Sequence, residues 1–383
     1  MPGSRSRPAA ELEPPSKGMK LDPEKRYLLA RPRGGFNDAM VQFGRARLYA
    51  AKYNRVLVVD MSRSGFRGPI TDTFRIPEGF GCELVDWNDD VASAFDAATS
   101  VKPDVLRHNI SKYKTRWRKR RRGSAFFSKG RQVSFDHSKD HAEQVLVSEQ
   151  AGGGRASLDV LQAMSLTAEM ANTVARRVRK LGRGYDAVHI RHSDYKTDFK
   201  AFLTRLRPVL QGRRVLICSD SHAAKQAAES ILDPSTTVLS VSDIPDLGGA
   251  PLHAKDVTDY EAANVDMLCD LFAMALADNL MFTTLSGAHQ SRSKVAGFSL
   301  LADSLRRHPE WVRNLLSLAD TEVFDDLFPS GPVAIDRPDL RRRLRLLDLW
   351  RWNYRAKRVA AVRAREAAGR PLRPEEIPPR FLG

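Results

Sequence analysis

Apolar and polar positions near the start of the chain predict a strand, a helix and a second strand. RYLLA at 26–30 and RVLVVD at 55–60 are short apolar runs. Between them the glycine-rich RPRGGFND opens a stretch, 38–53, in which apolar residues recur at helical spacing. Elements in this order form a βαβ unit, so we expect a parallel sheet.

The second half of the chain repeats this alternation more regularly. An amphipathic stretch at 166–181 precedes apolar runs that end at positions 192, 220, 243 and 284, with helical segments between them. The last two helices are predicted over 260–277 and 289–301. Strict alternation is typical of a doubly wound α/β domain. Between 61 and 165 the pattern is weaker, and we predict a loop for SEQAGGGRASLD, 148–159.

The length of 383 residues exceeds one ordinary core and suits two domains of roughly 150 residues each. We therefore predict an α/β protein with two Rossmann-like domains and a helical, basic C-terminal tail. The predicted segments are a disordered leader at 1–23, an N-terminal domain at 24–165, a second domain at 166–308 and the tail at 309–383.

The composition of the chain indicates in which cellular compartment the protein is expected. The Pro-rich start lacks the apolar core of a secretory signal, and no apolar run reaches the roughly 18 to 20 residues of a membrane-spanning helix. The three cysteines are far apart, which suggests neither a disulfide framework nor a zinc site. We expect a cytoplasmic protein.

The net charge of +16 is concentrated in two segments, 111–123 and 341–365. Such segments attract nucleic acid, anionic membranes or acidic polymers, or are simply solvated. Tyr113 and Trp117 lie among the cations of the first segment, where they could stack on bases, but no nucleic-acid-binding signature accompanies them. The second segment either lies on the inner face of an anionic membrane or packs its aromatic residues on a domain.

Three predicted strands of the second half end in polar residues: HIRHSD, CSDS and TTLSGAHQ. Ligands of open α/β sheets bind at the carboxyl ends of strands. Arg191 can make a paired contact with a diphosphate, and Ser286 with Gly287 precedes a helix whose N-terminus suits phosphate oxygens. Asp220 and Ser221 are placed to bind a base or ribose. The sequence therefore predicts a nucleoside-diphosphate pocket.

Plainer interpretations stay open. Polar strand ends are often only solvated, Asp220 suits a helix N-cap, and His189 suits a satisfied core histidine. His137, Asp140 and His141 are close enough in sequence for a metal site, although a polar loop produces such spacings easily. The P-loop, GxGxxG, HEXXH and GxSxG motifs are absent.

With these residues placed, the chain resembles the bacterial nodulation fucosyltransferases, relatives of the α1,6-fucosyltransferases and protein O-fucosyltransferases. The likeness spans roughly residues 26 to 305. The segments that carry it are GGFNDAM with NRVLVVDMSRSGF and ITDTF, then VHIRHSD, then VLICSDS, and finally APLHAKD with VDMLCDLFAMALADNLMFTTLSG. The resemblance implies a GT-B fold of two facing Rossmann-like domains and metal-independent, inverting transfer from GDP-fucose, with no cofactor.

The resemblance also implies roles for individual residues. Arg191, the arginine of the HxR motif, would neutralise the diphosphate leaving group. The resemblance implies nucleotide contacts for His189, Arg191, Ser221, Ser286 and Gly287, and His253 matches a family histidine. His192 and Asp220 are added as candidate nucleotide contacts from their place at the strand ends. This chain departs from the family pattern at His192, Ser193 and the TTLSGAHQSRS turn, so another nucleotide sugar remains an alternative donor. An internal ion pair that turned Arg191 away from the opening between the domains would contradict its role.

Direct displacement also needs a base near the acceptor hydroxyl. Asp194 and Asp198 follow the HxR motif closely, and Asp38 follows the glycine-rich turn of the first domain. Asp194 and Asp38 are equally suited to cap helices. The acceptor is expected to be a saccharide, with an anionic or lipid-linked saccharide as the narrower alternative. The rival to an enzyme is a basic protein that binds anionic glycan or nucleic acid on the same scaffold.

Overall fold

The computed structural model describes residues 20–120, 123–154, 156–193, 196–243, 259–284 and 295–328. Two parallel sheets, one in each half of the chain, form its framework, which confirms the predicted α/β class. The leader up to residue 19 and the basic segment 341–365 lie outside these ranges, and so does the tail beyond residue 328.

The first half contains strands β1 to β10 and helices α1 to α4. The strands are β1 (Tyr27–Pro32), β2 (Val56–Val59), β3 (Phe74–Arg75), β4 (Leu84–Asp86), β5 (Val101–Lys102), β6 (Arg116–Arg120), β7 (Gly123–Ser128), β8 (Arg131–Gln132), β9 (Val145–Gln150) and β10 (Ser165–Leu166). The helices are α1 (Phe36–Lys52), α2 (Ile70–Thr73), α3 (Asp89–Ala97) and α4 (Ser157–Gln162). Five strands form a parallel sheet in the order β4-β2-β1-β9-β5.

The structure corrects two expectations for this half in part. The segment 148–159 was predicted as a loop, but its first residues finish β9 and its last residues begin α4. The basic segment 111–123, for which a solvated segment was one interpretation, contains β6; β6 pairs with β7, and β7 pairs in turn with β8, so the three strands form a small antiparallel sheet. Charge masked the strand signal because the cations of β6 outnumber its apolar residues.

The second half contains β11 (Asp186–Ile190), β12 (Arg214–Ser219), β13 (Thr237–Leu239) and β14 (Leu280–Phe282), all parallel, in the order β13-β12-β11-β14. β12 and β13 extend the sheet on one side of β11, whereas β14 returns to the other side. The strand order therefore reverses between β11 and β14, which is where doubly wound sheets hold their ligands.

The helices of the second half match the predicted positions closely, with one exception. They are α5 (Ala168–Arg179), α6 (Phe199–Leu210), α7 (His222–Ile231), α8 (Tyr260–Leu276), α9 (Gly297–Arg307), α10 (Pro309–Leu315) and α11 (Thr321–Leu327). The exception is α9, which begins at residue 297 and ends at 307 instead of covering 289–301. None of the helices described here is long and apolar enough to cross a membrane.

One hydrophobic cluster joins the two halves. It includes Phe36 of α1, Phe272 of α8 and Leu301 of α9, all buried. The turn between β1 and α1 meets the start of α9, since a Cβ added at Gly297 would lie 2.6 Å from Nδ2 of Asn37. This contact brings the carboxyl end of β1 close to the helix that follows β14.

Candidate functional site

The three polar strand ends predicted from the sequence are neighbours in the second sheet. Ile190 of β11 is in register with Ser219 of β12, and His189 with Phe282 of β14. Backbone N–H groups beyond β11 contact residues that follow both neighbouring strands. The N–H of Arg191 donates to Oγ1 of Thr283, after β14, at 3.1 Å, and the N–H of His192 donates to the carboxylate of Asp220, after β12. The polar residues therefore meet at the switch point between β11 and β14.

Arg191 forms an ion pair with Asp220, whose carboxylate also accepts hydrogen bonds from the backbone N–H of His192 and the hydroxyl of Ser193. The Asp220 side chain is 8% exposed, whereas that of Arg191 keeps 21% of its surface accessible. Asp220 was predicted as a nucleotide ligand, but its carboxylate is engaged by groups at the end of β11. We therefore assign it to positioning Arg191. Arg191 is thus held in an internal ion pair, the first part of the contradicting condition stated above, while 21% of its side chain remains exposed.

His189 is buried near the end of β11. Its Nδ1 lies 2.6 Å from Oγ of Ser299, in the first turn of α9, and its ring lies 5.7 Å from that of Phe298. Burial lowers the pKa of His189 to about 4; Asp220 opposes this shift and Arg191 adds to it. The imidazole is thus neutral at pH 7 and links β11 to α9.

Two predicted site residues cap helices. Ser221 accepts a hydrogen bond from the N–H of Ala224 at the start of α7, and Asp198 accepts one from the N–H of Ala201 at the start of α6. The capping carboxylate of Asp198 is thereby directed to its own helix, which disfavours its predicted role as a base. The sequence signal was ambiguous because aspartate suits both tasks.

His192 is held in the loop between β11 and α6. Its Nδ1 accepts a hydrogen bond from the N–H of Thr197 at 3.1 Å, and its ring meets that of Phe199 edge to face at 4.6 Å. Burial lowers the pKa of its imidazole. The ring therefore supports the loop that follows Arg191.

Asp38 lies in the first turn of α1, beside the glycine turn. A Cβ at Gly34 would approach its Oδ2 to 3.0 Å, and one at Gly153 would collide with its Oδ1. The neighbouring Asn37 contacts Gly297 of α9, and α9 also carries the partner of His189. Asp38 thus lies on the side of the first sheet that meets the switch point. Asp194, His253, Ser286 and Gly287 lie outside the described residues.

The sequence analysis missed a buried carboxylate at the end of β9. Glu149 forms ion pairs with Arg33 and Arg63, at 2.5 and 2.6 Å, and accepts hydrogen bonds from the hydroxyls of Tyr113 and Thr115, both at 2.8 Å. Tyr113 is therefore buried and cannot stack on a base as considered above. The available signal was a glutamate that follows closely on the apolar run VLV of the same strand, because a carboxylate buried there needs partners.

The residues considered for a metal site are turned to different partners. Nδ1 of His137 lies 3.0 Å from the carbonyl oxygen of Phe135, and Nε2 of His141 lies 2.8 Å from that of Asp136. Asp140 pairs with two arginines, Arg26 at 2.6 Å and Arg55 at 3.2 Å. Across the ranges described above, no cluster of three or more His, Cys, Asp or Glu side chains suited to a metal ion occurs.

Comparison with known proteins gives similarity at the level of structure. No protein-family model matches the chain, and no curated protein matches it in sequence. The fucosyltransferase NodZ from Bradyrhizobium is similar with 17% identity and a TM-score of 0.48, over 74% of this chain and 94% of that one. POFUT1 in complex with GDP is similar with 13% identity and a TM-score of 0.43, over 75% and 97%. Similarity of this degree does not identify a function, which must come from the residues themselves.

Proposed function

We propose that this protein is a glycosyltransferase that transfers a sugar, fucose as first choice, from a GDP-sugar to a saccharide acceptor. The observation that carries the proposal is the position of Arg191 at the strand switch point, anchored by Asp220 yet partly accessible. Ligands of doubly wound sheets bind there, and a guanidinium suits a diphosphate. The sequence resemblance of HIRHSD, CSDS and the glycine turn supports the choice of donor.

The proposed reaction is a direct displacement at the anomeric carbon. The acceptor oxygen forms a bond to this carbon while the bond from the carbon to the phosphate oxygen breaks, and GDP leaves with the electron pair. Arg191 stabilises the negative charge that develops on the diphosphate, so the proposed mechanism is inverting and uses no metal. Asp38 is the proposed acceptor of the hydroxyl proton, with Asp194, which lies outside the described residues, as the alternative; Asp198 is set aside because it caps α6.

Two further features support a donor pocket at this site. The neutral His189 imidazole adds no charge beneath the strand end, and its bond to Ser299 fixes the start of α9 against the sheet. Asp220 restricts the guanidinium of Arg191 before a ligand arrives, so less side-chain entropy is lost on binding. The pocket is thus organised in advance around one cation.

The test compares nucleotide binding with turnover. Calorimetry with GDP and GDP-fucose measures donor affinity, and mass-detected transfer from a panel of nucleotide sugars identifies the donor. We expect Arg191→Ala to lower turnover by about two to four powers of ten. Arg205→Ala, an exposed arginine of α6, is the matched control and should retain activity.

The outcomes separate the alternatives. Transfer from UDP-sugars alone would end the fucosyl assignment, and failure to bind any nucleotide would end the transferase proposal. Tight, salt-sensitive binding to a polyanion that survives Arg191→Ala, without turnover, would favour a basic binding protein. Circular dichroism of Arg191→Ala checks that the fold persists.

A further inference from the structure

The hairpin of β6 and β7 exposes an aromatic side chain. Trp117 is 55% exposed, and the described part of the chain has one other large apolar side chain of comparable exposure, Leu48 at 61%. A tryptophan carries much more apolar surface than most side chains and is normally covered. Its exposure on a strand suggests a ligand that covers it.

The strand register shows which way Trp117 faces. Trp117 pairs with Phe126 across the hairpin, so the two side chains share a face. Phe126 is buried, and the guanidinium carbon of Arg33 lies 4.9 Å from its ring centroid. Trp117 therefore stands on the face of the hairpin that is turned to Arg33, at the carboxyl end of β1.

The base of the hairpin is firmly anchored and positively charged. Glu149 binds Arg33 and Arg63 as well as the hydroxyls of Tyr113 and Thr115, which immediately precede the hairpin. Two guanidinium groups share this one carboxylate, so the cluster keeps a net positive charge. Arg33 is 29% exposed at its side chain. The chain from 111 to 135 contains no acidic residue.

Arg33 lies at the same end of the first sheet as Asp38, the proposed base. Arg33 precedes the glycine turn that leads to Asn37 and Asp38, and Asn37 contacts Gly297 at the start of α9. The bond from Ser299 to His189 then leads to β11, which ends next to Arg191. Arg33, the glycine turn and Asp38 therefore all lie at the carboxyl end of β1.

We propose that Trp117 and Arg33 bind the acceptor, a saccharide that carries a carboxylate, sulfate or phosphate group. The apolar face of a pyranose ring covers the indole, and the anionic group pairs with the guanidinium of Arg33. The exposed cations Lys112, Lys114 and Arg116 attract such a ligand over a longer range. This inference rests on the proposed transferase function and adds the class of acceptor and its site.

A single-stranded nucleic acid suits this surface less well. Such ligands use several aromatic side chains, on which successive bases stack. Trp117 is the exposed aromatic residue of the basic hairpin, while Tyr113 is buried beneath it and Phe126 is covered by Arg33. One exposed indole next to an arginine suits a sugar ring with its charged substituent.

Binding by the full chain tests the inference. Calorimetry is performed with tetragalacturonate, with uncharged chitotetraose and with the DNA oligonucleotide dT8, and GDP affinity is measured in parallel. We expect Trp117→Ala to weaken tetragalacturonate binding about tenfold or more, and Trp117→Phe to restore most of it. Leu48→Ala is the control for loss of an exposed apolar side chain. Arg33→Lys keeps the positive charge beside Glu149. It should nevertheless weaken tetragalacturonate binding, because an ammonium group cannot make the paired contact of a guanidinium with the anionic group of the saccharide.

Each outcome bears on one proposal. If chitotetraose binds as tightly as tetragalacturonate, the proposed acceptor site is wrong. It is also wrong if Trp117→Ala binds tetragalacturonate with unchanged affinity, even when GDP binds normally. Tighter binding of dT8 than of the glycans, lost in Trp117→Ala, would assign the hairpin to nucleic acid instead. Absence of GDP binding would overturn the transferase proposal, whatever the glycan result. GDP affinity that is unchanged in Trp117→Ala supports separate donor and acceptor sites.

Discussion

Asp220 fixes the orientation of the Arg191 guanidinium through their ion pair. The ion pair directs the guanidinium and leaves 21% of the Arg191 side chain accessible. A diphosphate would share the guanidinium with this carboxylate, which itself accepts from His192 and Ser193. In the proposed mechanism Asp220 therefore positions Arg191 and does not contact the nucleotide.

The buried imidazole of His189 predicts a pH effect on stability. Its pKa is about 4 in the fold against 6.5 for an exposed histidine, so the unfolded chain takes up this proton first as the pH falls. The free energy of unfolding should fall by about 3 kcal/mol from this source between pH 6.5 and 4. His189→Gln should remove that part of the pH dependence in urea titrations. His108→Asn, at an exposed position, is the control, and an unchanged slope in His189→Gln would contradict the assignment.

Asp38 gives a kinetic prediction. If the Asp38 carboxylate takes the proton from the hydroxyl of the saccharide acceptor, Asp38→Asn should lower kcat about a hundredfold or more. GDP affinity should stay within about twofold. Asp90→Asn, in the first turn of α3, is the matched control. Loss of GDP affinity with unchanged kcat would instead place Asp38 in donor binding.

At the scale of elements, substitutions of Asp198 distinguish a helix-capping role from a catalytic one. Its carboxylate accepts the Ala201 N–H, so Asp198→Ala should cost about 1 kcal/mol of stability. Asp198→Ser keeps a capping oxygen but no base, and it should retain both stability and turnover. Denaturant unfolding and initial rates measure the two effects. A large loss of turnover in Asp198→Ser, with stability intact, would restore the role as base.

The elements of the second half could be predicted from sequence, because each strand is an apolar run closed by polar residues. β11 and β12 were placed to within a few residues for this reason. β6 was missed, since RWRKR carries more charge than a half-buried strand usually does. The place of β9 between β1 and β5 could not be predicted either. Val145 of β9 pairs with Tyr27 of β1 and with Val101 of β5, which are distant in sequence, and no local pattern records such pairings.

The site could be predicted only at its strand ends. Arg191 and His189 follow from the rule that ligands meet the carboxyl ends of parallel strands. The link from His189 to Ser299 depends on how α9 packs, and the grouping of Arg33 and Arg63 around Glu149 depends on the fold of the first half. Such groupings come from tertiary packing and leave no regular spacing in the sequence.

At the scale of the whole molecule, the contact between Asn37 and Gly297 joins the two halves. A side chain at Gly297 would press on the buried Asn37, so Gly297→Ala should lower stability by about 1 to 3 kcal/mol and reduce GDP affinity. Gly35→Ala is the matched control, because its added Cβ meets nothing within 4 Å. Thermal unfolding and calorimetry measure both effects. If Gly297→Ala and Gly35→Ala had the same stability and the same GDP affinity, the packing of Asn37 on Gly297 would be too loose to matter.

The central position of β9 has a consequence for synthesis on the ribosome. β1, β2 and β4 emerge early, but the strand that completes their sheet spans Val145–Gln150 and leaves the exit tunnel only after the whole basic hairpin. Until then one flank of β1 offers unpaired peptide groups, which invite association with other chains. Nascent chains halted before residue 145 should therefore bind chaperones more strongly than chains halted after residue 180.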